Sequence, residues 1–123
     1  GKRNCLVNKT VKKLWVTALR SGKFLKGKNA LHRGRRYCCL GVLCELYRRT
    51  VHQGEWVPAE AHTQSFLGHN GALPTEVMAW AGLKDSDPVF KNKRATDWND
   101  IRDLPFKTIA TYIEQEETFS HVS

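Results

Sequence analysis

Six cations fall within fourteen residues: Lys23, Lys26, Lys28, Arg33, Arg35 and Arg36, with Gly27 and Gly34 among them. Arginine presents a planar fork of donors that matches a phosphate, and lysine adds a point charge. Glycine lets backbone approach a ligand closely. The segment leads into the apolar run Tyr37-Cys38-Cys39-Leu40-Gly41-Val42-Leu43-Cys44, which is predicted to open a helix. A helix N-terminus offers unpaired N–H groups and a partial positive charge. These features together predict an anion or nucleic-acid site built from Arg20, Lys23, Lys26, Lys28, His32, Arg33, Arg35, Arg36 and Tyr37. The competing reading is a solvated basic surface that keeps the chain soluble. No Gly-x-x-x-x-Gly-Lys-Ser/Thr string is present, so the segment is not a P-loop.

A second chemistry lies in the thiols. Cys38 or Cys39, at a helix start beside Arg35 and Arg36, has the setting of a lowered thiol pKa, with His32 or His69 as the base of a small Cys-dependent enzyme. Against that, cysteine in an apolar run serves as a small core hydrophobe, and no protease-type signature accompanies it. The four cysteines, Cys5, Cys38, Cys39 and Cys44, crowd too closely for a disulfide framework, and free thiols predict a reducing compartment. The histidines (His32, His52, His62, His69, His121) lack the spacing of a zinc site, so no metal and no cofactor is expected. Asp85, Asp87, Asp97, Asp100 and Asp103 fall where aspartate caps turns and helices. Trp15 and Trp80 read as core, whereas Trp56 and Tyr37, near irregular segments, are the rings placed to stack on a base.

The wider charge pattern agrees with a basic site. Residues 1–49 hold fourteen Lys and Arg and one acid, a formal +13; residues 50–123 hold six bases and eleven acids, a formal −5, giving the net +8. Such asymmetry implies an anionic partner for the N-terminal half. It also permits self-association, basic half against acidic half. At 123 residues with 41% hydrophobic content the chain is expected to be one domain with one core. No apolar run approaches the ~20 residues that span a bilayer, and no signal peptide is expected.

The elements that must position these residues follow from periodicity. Val11, Leu14, Trp15, Ala18 and Leu19 recur at offsets 0, 3, 4, 7 and 8 behind Asn8 as N-cap, and Gly22 stops that helix. Residues 23–36 read as a packed-down basic connection, followed by a second, central helix from about Cys38 to Arg49. Glu55-Trp56-Val57 has the composition of a short strand, and Ala59 to Gly71 reads as a long loop. Pro74, Val77, Trp80 and Ala81 mark a third helix closed by Gly82 and Leu83. Val89-Phe90 and Arg94-Ala95-Thr96 flank a hairpin turn. Trp98, Ile101 and Leu104 suggest a helical turn, and Phe106, Ile109, Ala110 and Ile113 a final helix that frays after about Glu116.

Several strings carry a resemblance. Leu14-Trp15-Val16-x-Ala18-Leu19-Arg20-Ser21-Gly22-Lys23-Phe24, Tyr37 to Cys44, Leu73-Pro74-x-Glu76-Val77, Trp80-Ala81-Gly82-Leu83 and Asp87-Pro88-Val89 resemble a family of small, mostly uncharacterised proteins of bacteriophages and prophages. The Asn99-Asp100 pair fits the same family, whereas the His-containing segment 52–69 has no counterpart in it. The resemblance implies a phage accessory protein of host takeover or counter-defence, acting in the host bacterial cytoplasm. It implies no mechanism.

The expectation is therefore a mainly α, compact single domain of four or five helices with a minor β-hairpin. Its expected role is non-catalytic binding of nucleic acid, a nucleotide or an acidic host protein, with no membrane partner. The small Cys-dependent enzyme and the charge-driven homo-oligomer are the alternatives.

Overall fold

The computed structural model describes residues 8–116. In chain order the elements are α1 (Lys9–Arg20), β1 (Leu25–Lys26), β2 (His32–Arg33), β3 (Arg36–Tyr37), α2 (Cys39–Val51), β4 (Trp56–Pro58), a 3₁₀ turn (Glu60–His62), β5 (Thr63–Phe66), α3 (Thr75–Ala81), β6 (Val89–Phe90), β7 (Lys93–Arg94), a π-helical turn (Asp97–Ile101) and α4 (Phe106–Gln115). Five strands form one mixed sheet in the order β1-β3-β2-β5-β4, and β6 pairs with β7 apart from it. The fold is thus α+β. The expected mainly α architecture with a minor hairpin is wrong, because the basic connection and the long loop both contribute strands to the main sheet. Strands of two to four residues are too short to display an alternating pattern, and their pairing is set by distant partners.

The helices form for the reasons read in the sequence. The Asn8 side chain accepts from the N–H groups of Thr10 and Val11, capping α1. Gly82 adopts φ 75°, and the Leu83 N–H returns to the Met78 carbonyl at 2.9 Å, closing α3 as glycine-terminated helices close. Phe106, Ile109, Ala110 and Ile113 of α4 are buried against α1. The expected fraying past Glu116 lies outside the described residues, as do Cys5 and His121.

Helix α2 is central. Leu40, Val42, Leu43 and Cys44 have no exposed surface. Gly41 is required there: a Cβ on it would collide with the Leu31 carbonyl, to which the Cys38 N–H also donates at 3.1 Å. The first turn of α2 is therefore pressed onto the segment entering β2. The Trp15 indole adds a donor from α1 to the Cys39 carbonyl at 2.9 Å. Two apolar residues depart from expectation. Leu14 is 39% exposed although it lies on the apolar stripe of α1, and Ile101, expected to pack in its turn, is 78% exposed.

Candidate anion-binding site

Strands β2 and β3 make a tight antiparallel hairpin with Gly34-Arg35 as its turn, and Gly34 takes φ 62°. Tight hairpin turns need that sign of φ, which glycine adopts without steric cost. The turn is pinned to β5, where Gln64 Oε1 accepts from the Gly34 N–H at 3.0 Å. Successive strand residues point to opposite faces, so His32 and Tyr37 form one cross-strand pair and Arg33 and Arg36 another. His32 is buried, whereas Arg33 and Arg36 are exposed.

On the outward face Arg33 stands directly opposite Arg36, a like-charged cross-strand pair that repels in an isolated sheet. Among the described residues each guanidinium donates to a backbone carbonyl, Arg33 to Ala61 at 2.9 Å and Arg36 to Lys26 at 3.0 Å. Among the described residues, Arg33, Arg35 and Arg36 have no carboxylate partner. Beside them Lys26 and Lys28 complete the rim of an open concavity of about 470 Å³, together with Gly27, Asn29 and Asp103. Gly27 allows β1 to lie this close to β3, since a Cβ there would stand 2.7 Å from that of Arg36.

Among the described residues Asp103 is the one acid on this rim. Its carboxylate takes Lys26 Nζ at 2.8 Å and Lys28 Nζ at 3.5 Å, and the Lys26 hydrogen bond holds its pKa below the usual carboxylate value. Lys26 also donates to the Asn99 carbonyl at 2.7 Å. The C-terminal half thus supplies a counter-anion to the basic half. Arg20 behaves likewise, meeting Glu114 of α4 at 2.9 Å on a different surface. Part of the charge split is therefore neutralised within one chain.

The structure accordingly divides the predicted site. It gathers Lys26, Lys28, Arg33 and Arg36 on one rim, with Arg35 at the adjoining turn. It removes Arg20 to α4, and Lys23 to a groove between α1 and α2. His32 and Tyr37 share the opposite face of the hairpin, His32 buried and Tyr37 half-buried, stacked at 3.9 Å between ring centroids, and Trp56 stands perpendicular to the His32 ring at 4.7 Å. The helix N-terminus expected to receive the anion is closed. Asn99 Oδ1 accepts from the Cys39 N–H at 3.0 Å, Cys38 Sγ accepts from the Gly41 N–H at 3.4 Å, and Cys38, Cys39 and Leu40 are buried. Sequence reasoning missed Asn29 and the capping role of Asn99, and it read Asp103 as a capping aspartate where the structure makes it the partner of Lys26 and Lys28. Nothing local connects residue 99 to residue 39.

The thiols do not form a nucleophilic site. Cys38, Cys39 and Cys44 are free and buried. Burial pushes the Cys38 thiol up to about 12 and raises Cys39 and Cys44 as well, the reverse of what a thiolate nucleophile needs. Among the described residues, no cluster of three or more His, Cys, Asp or Glu could hold a metal, and no helix is long and apolar enough to cross a membrane.

One inward acid organises the other side of the sheet. Glu45 is buried in α2, where Oε1 accepts from Arg48 Nε and Trp56 Nε1, and Oε2 from Arg48 Nη2 and Arg49 Nε, all within 2.7–2.9 Å. Burial raises its pKa, but the hydrogen bonds from Arg48, Trp56 and Arg49 outweigh it and hold the carboxyl down to about 2. Every acceptor direction of this carboxylate is occupied, so its work is to hold β4 on α2.

The chain belongs to the family described as a domain of unknown function (DUF8296), which matches residues 7–123. No curated protein and no solved structure matches it.

Proposed function

We propose that the chain is a non-catalytic binding protein that holds a phosphate-bearing partner on the β2–β3 hairpin and the concavity beside it. The observation that carries this reading is the Arg33–Arg36 pair. Two like charges stand opposed on an open sheet face with no carboxylate between them, next to Lys26 and Lys28. A bridging phosphate would relieve that repulsion and accept from both forks. The resemblance of the Leu14–Phe24 and Tyr37–Cys44 strings to phage proteins supports a setting in the host cytoplasm, where nucleic acid and nucleotides are the abundant partners of this chemistry. The Cys-dependent alternative loses support from the buried, protonated thiols.

Salt-dependent binding to duplex DNA, single-stranded DNA and RNA tests the proposal, with nucleotides titrated calorimetrically beside them. Phosphate contacts release counterions, giving a log–log slope of ~0.9 per contact on duplex or ~0.7 on single strands. Changing Arg33, Arg35 and Arg36 together to Gln is expected to weaken binding across all sequences and flatten the slope by about two to three units. A nucleotide partner would instead give saturable one-to-one binding with weak competition from bulk DNA. The proposal is abandoned if the wild type retains none of these ligands at low salt, or if the triple substitution leaves binding unchanged.

A further inference from the structure

Thr10, Lys13, Leu14, Thr17, Ala18 and Ser21 recur at helical spacing along one face of α1 and line a groove of about 410 Å³. The face extends over eleven residue steps, roughly 16 Å at the α-helical rise. Leu46 and Arg49 of α2, with Lys23 and Phe24, form its other wall. Leu14, Ala18, Phe24 and Leu46 supply apolar surface, which explains why Leu14 keeps 39% exposure on an otherwise buried stripe. Every charge lining the groove is positive: Lys13, Lys23 and Arg49. Arg49 is held by Glu45 and lies over the Phe24 ring at 5.4 Å. Lys13 and Lys23 form no ion pair among the described residues.

We propose that this groove docks an acidic amphipathic helix of a partner protein. The groove runs about three helical turns, apolar at its centre where Leu14 and Ala18 face Phe24 and Leu46 and bordered by Thr10, Thr17 and Ser21, so it accepts apolar side chains at i and i+3 or i+4 of a second helix, with polar contacts beyond them. The cations at its margins select carboxylates on that helix's flanks and disfavour a basic one. The apolar surface is recessed between two helices, a shape that a helix fills and a flat bilayer does not. The groove shares no lining residue with the phosphate concavity, so this inference stands independently of the binding proposed there.

The test uses the full chain and a fluorescent sixteen-residue synthetic helix with Leu on one face and Glu on its flanks, beside a twin carrying Lys for Glu. Anisotropy is expected to show saturable binding of the acidic helix and little of its twin. Amide shifts in the wild type are expected to map onto Leu14, Phe24 and Leu46. Lys13→Glu with Lys23→Glu, and separately Leu14→Gln, should each weaken binding about tenfold, while the triple change at Arg33, Arg35 and Arg36 should not affect it. These variants alter exposed side chains, and the wild-type shift map reads the site without them. The inference is overturned if the acidic helix fails to saturate by about 1 mM, if the twin binds equally, or if the shifts fall elsewhere. It is also overturned if anionic lipid vesicles bind through these residues in place of the peptide.

Discussion

Asn99 and Cys39, sixty residues apart, meet at the start of α2, where Asn99 Oδ1 accepts the Cys39 N–H at 3.0 Å. The Asn99 amide nitrogen donates to the Gly27 carbonyl at 2.9 Å and to Asp100 Oδ1 at 2.7 Å. One fully buried side chain thus caps the central helix and anchors the rim of the basic concavity. Asn99→Ala would leave a buried donor and a carbonyl unpaired and is expected to cost about 2–3 kcal/mol. Chemical denaturation should show a lower midpoint with an unchanged slope; a loss below about 0.5 kcal/mol would refute the capping role.

Asp103 holds Lys26 and Lys28 and would compete for them with the phosphate proposed above. Asp103→Asn keeps a residue that tolerates the observed φ of 51° and removes the charge. Binding to a polyanion should tighten several-fold, and its salt slope should steepen by about 1–2 as two cations become available. Stability should be little changed, because this exposed pair is screened by solvent. Unchanged affinity and slope would show that Lys26 and Lys28 take no part in binding.

The burial of Cys38, Cys39 and Cys44 predicts that none is alkylated by iodoacetamide in the native protein at neutral pH, while all three are modified in denaturant. Peptide mapping reports each thiol separately. Rapid native labelling of Cys38 or Cys39 would restore the enzymatic reading.

Acid should weaken the fold in two stages. Burial lowers the His32 pKa below its usual 6.5, so as pH falls past that value the unfolded chain takes up a proton that the folded chain resists. Stability declines accordingly. Glu45 follows: its usual value is 4.5, its folded value about 2, and the stability it confers is present above the former and lost as pH falls toward the latter. Glu45→Gln should shrink the second stage, leaving the smaller part due to other paired carboxylates such as Asp85, and should cost about 1–3 kcal/mol at pH 7, since charge-assisted hydrogen bonds to a buried carboxylate are lost while Arg48 and Arg49 keep their access to solvent. Denaturation midpoints across pH 2–8 measure both stages, and an unaltered acid limb in Glu45→Gln would exclude Glu45 as its source.

The helices were legible because their signals are local: the stripe of Val11, Trp15, Ala18 and Leu19, the Asn8 cap, and the Gly82 stop. The sheet was not. The two-residue strands β1, β2 and β3 have no period of their own, and β5 looks like polar loop because its order comes from β2 and β4. Gly27 and Gly34 were expected to let backbone approach a ligand; in the structure one lets a strand approach and the other turns a hairpin. For the site, cation clustering in the sequence grouped Lys26, Lys28, Arg33, Arg35 and Arg36, and the structure puts four of these on one rim with Arg35 at the adjoining turn. Sequence reasoning placed the ligand at the start of α2 because sequence order suggests that helix as the next surface. Packing buries it, and the cations lie on the sheet instead.

The fit of Gly41 against the Leu31 carbonyl has a consequence for selectivity. Because the first turn of α2 is locked to the strand that carries Arg33, the arginines are not on a supple arm that moulds itself to any polyanion. They form a ruler with fixed graduations. Little backbone entropy would remain to be lost on binding the proposed phosphate-bearing partner, which lowers the number of contacts needed for a given affinity. A ruler would also reject: phosphates spaced to match Arg33 and Arg36 would engage both, and those with another spacing only one. Discrimination among phosphate-bearing partners would then arise from distance alone, with no base being read.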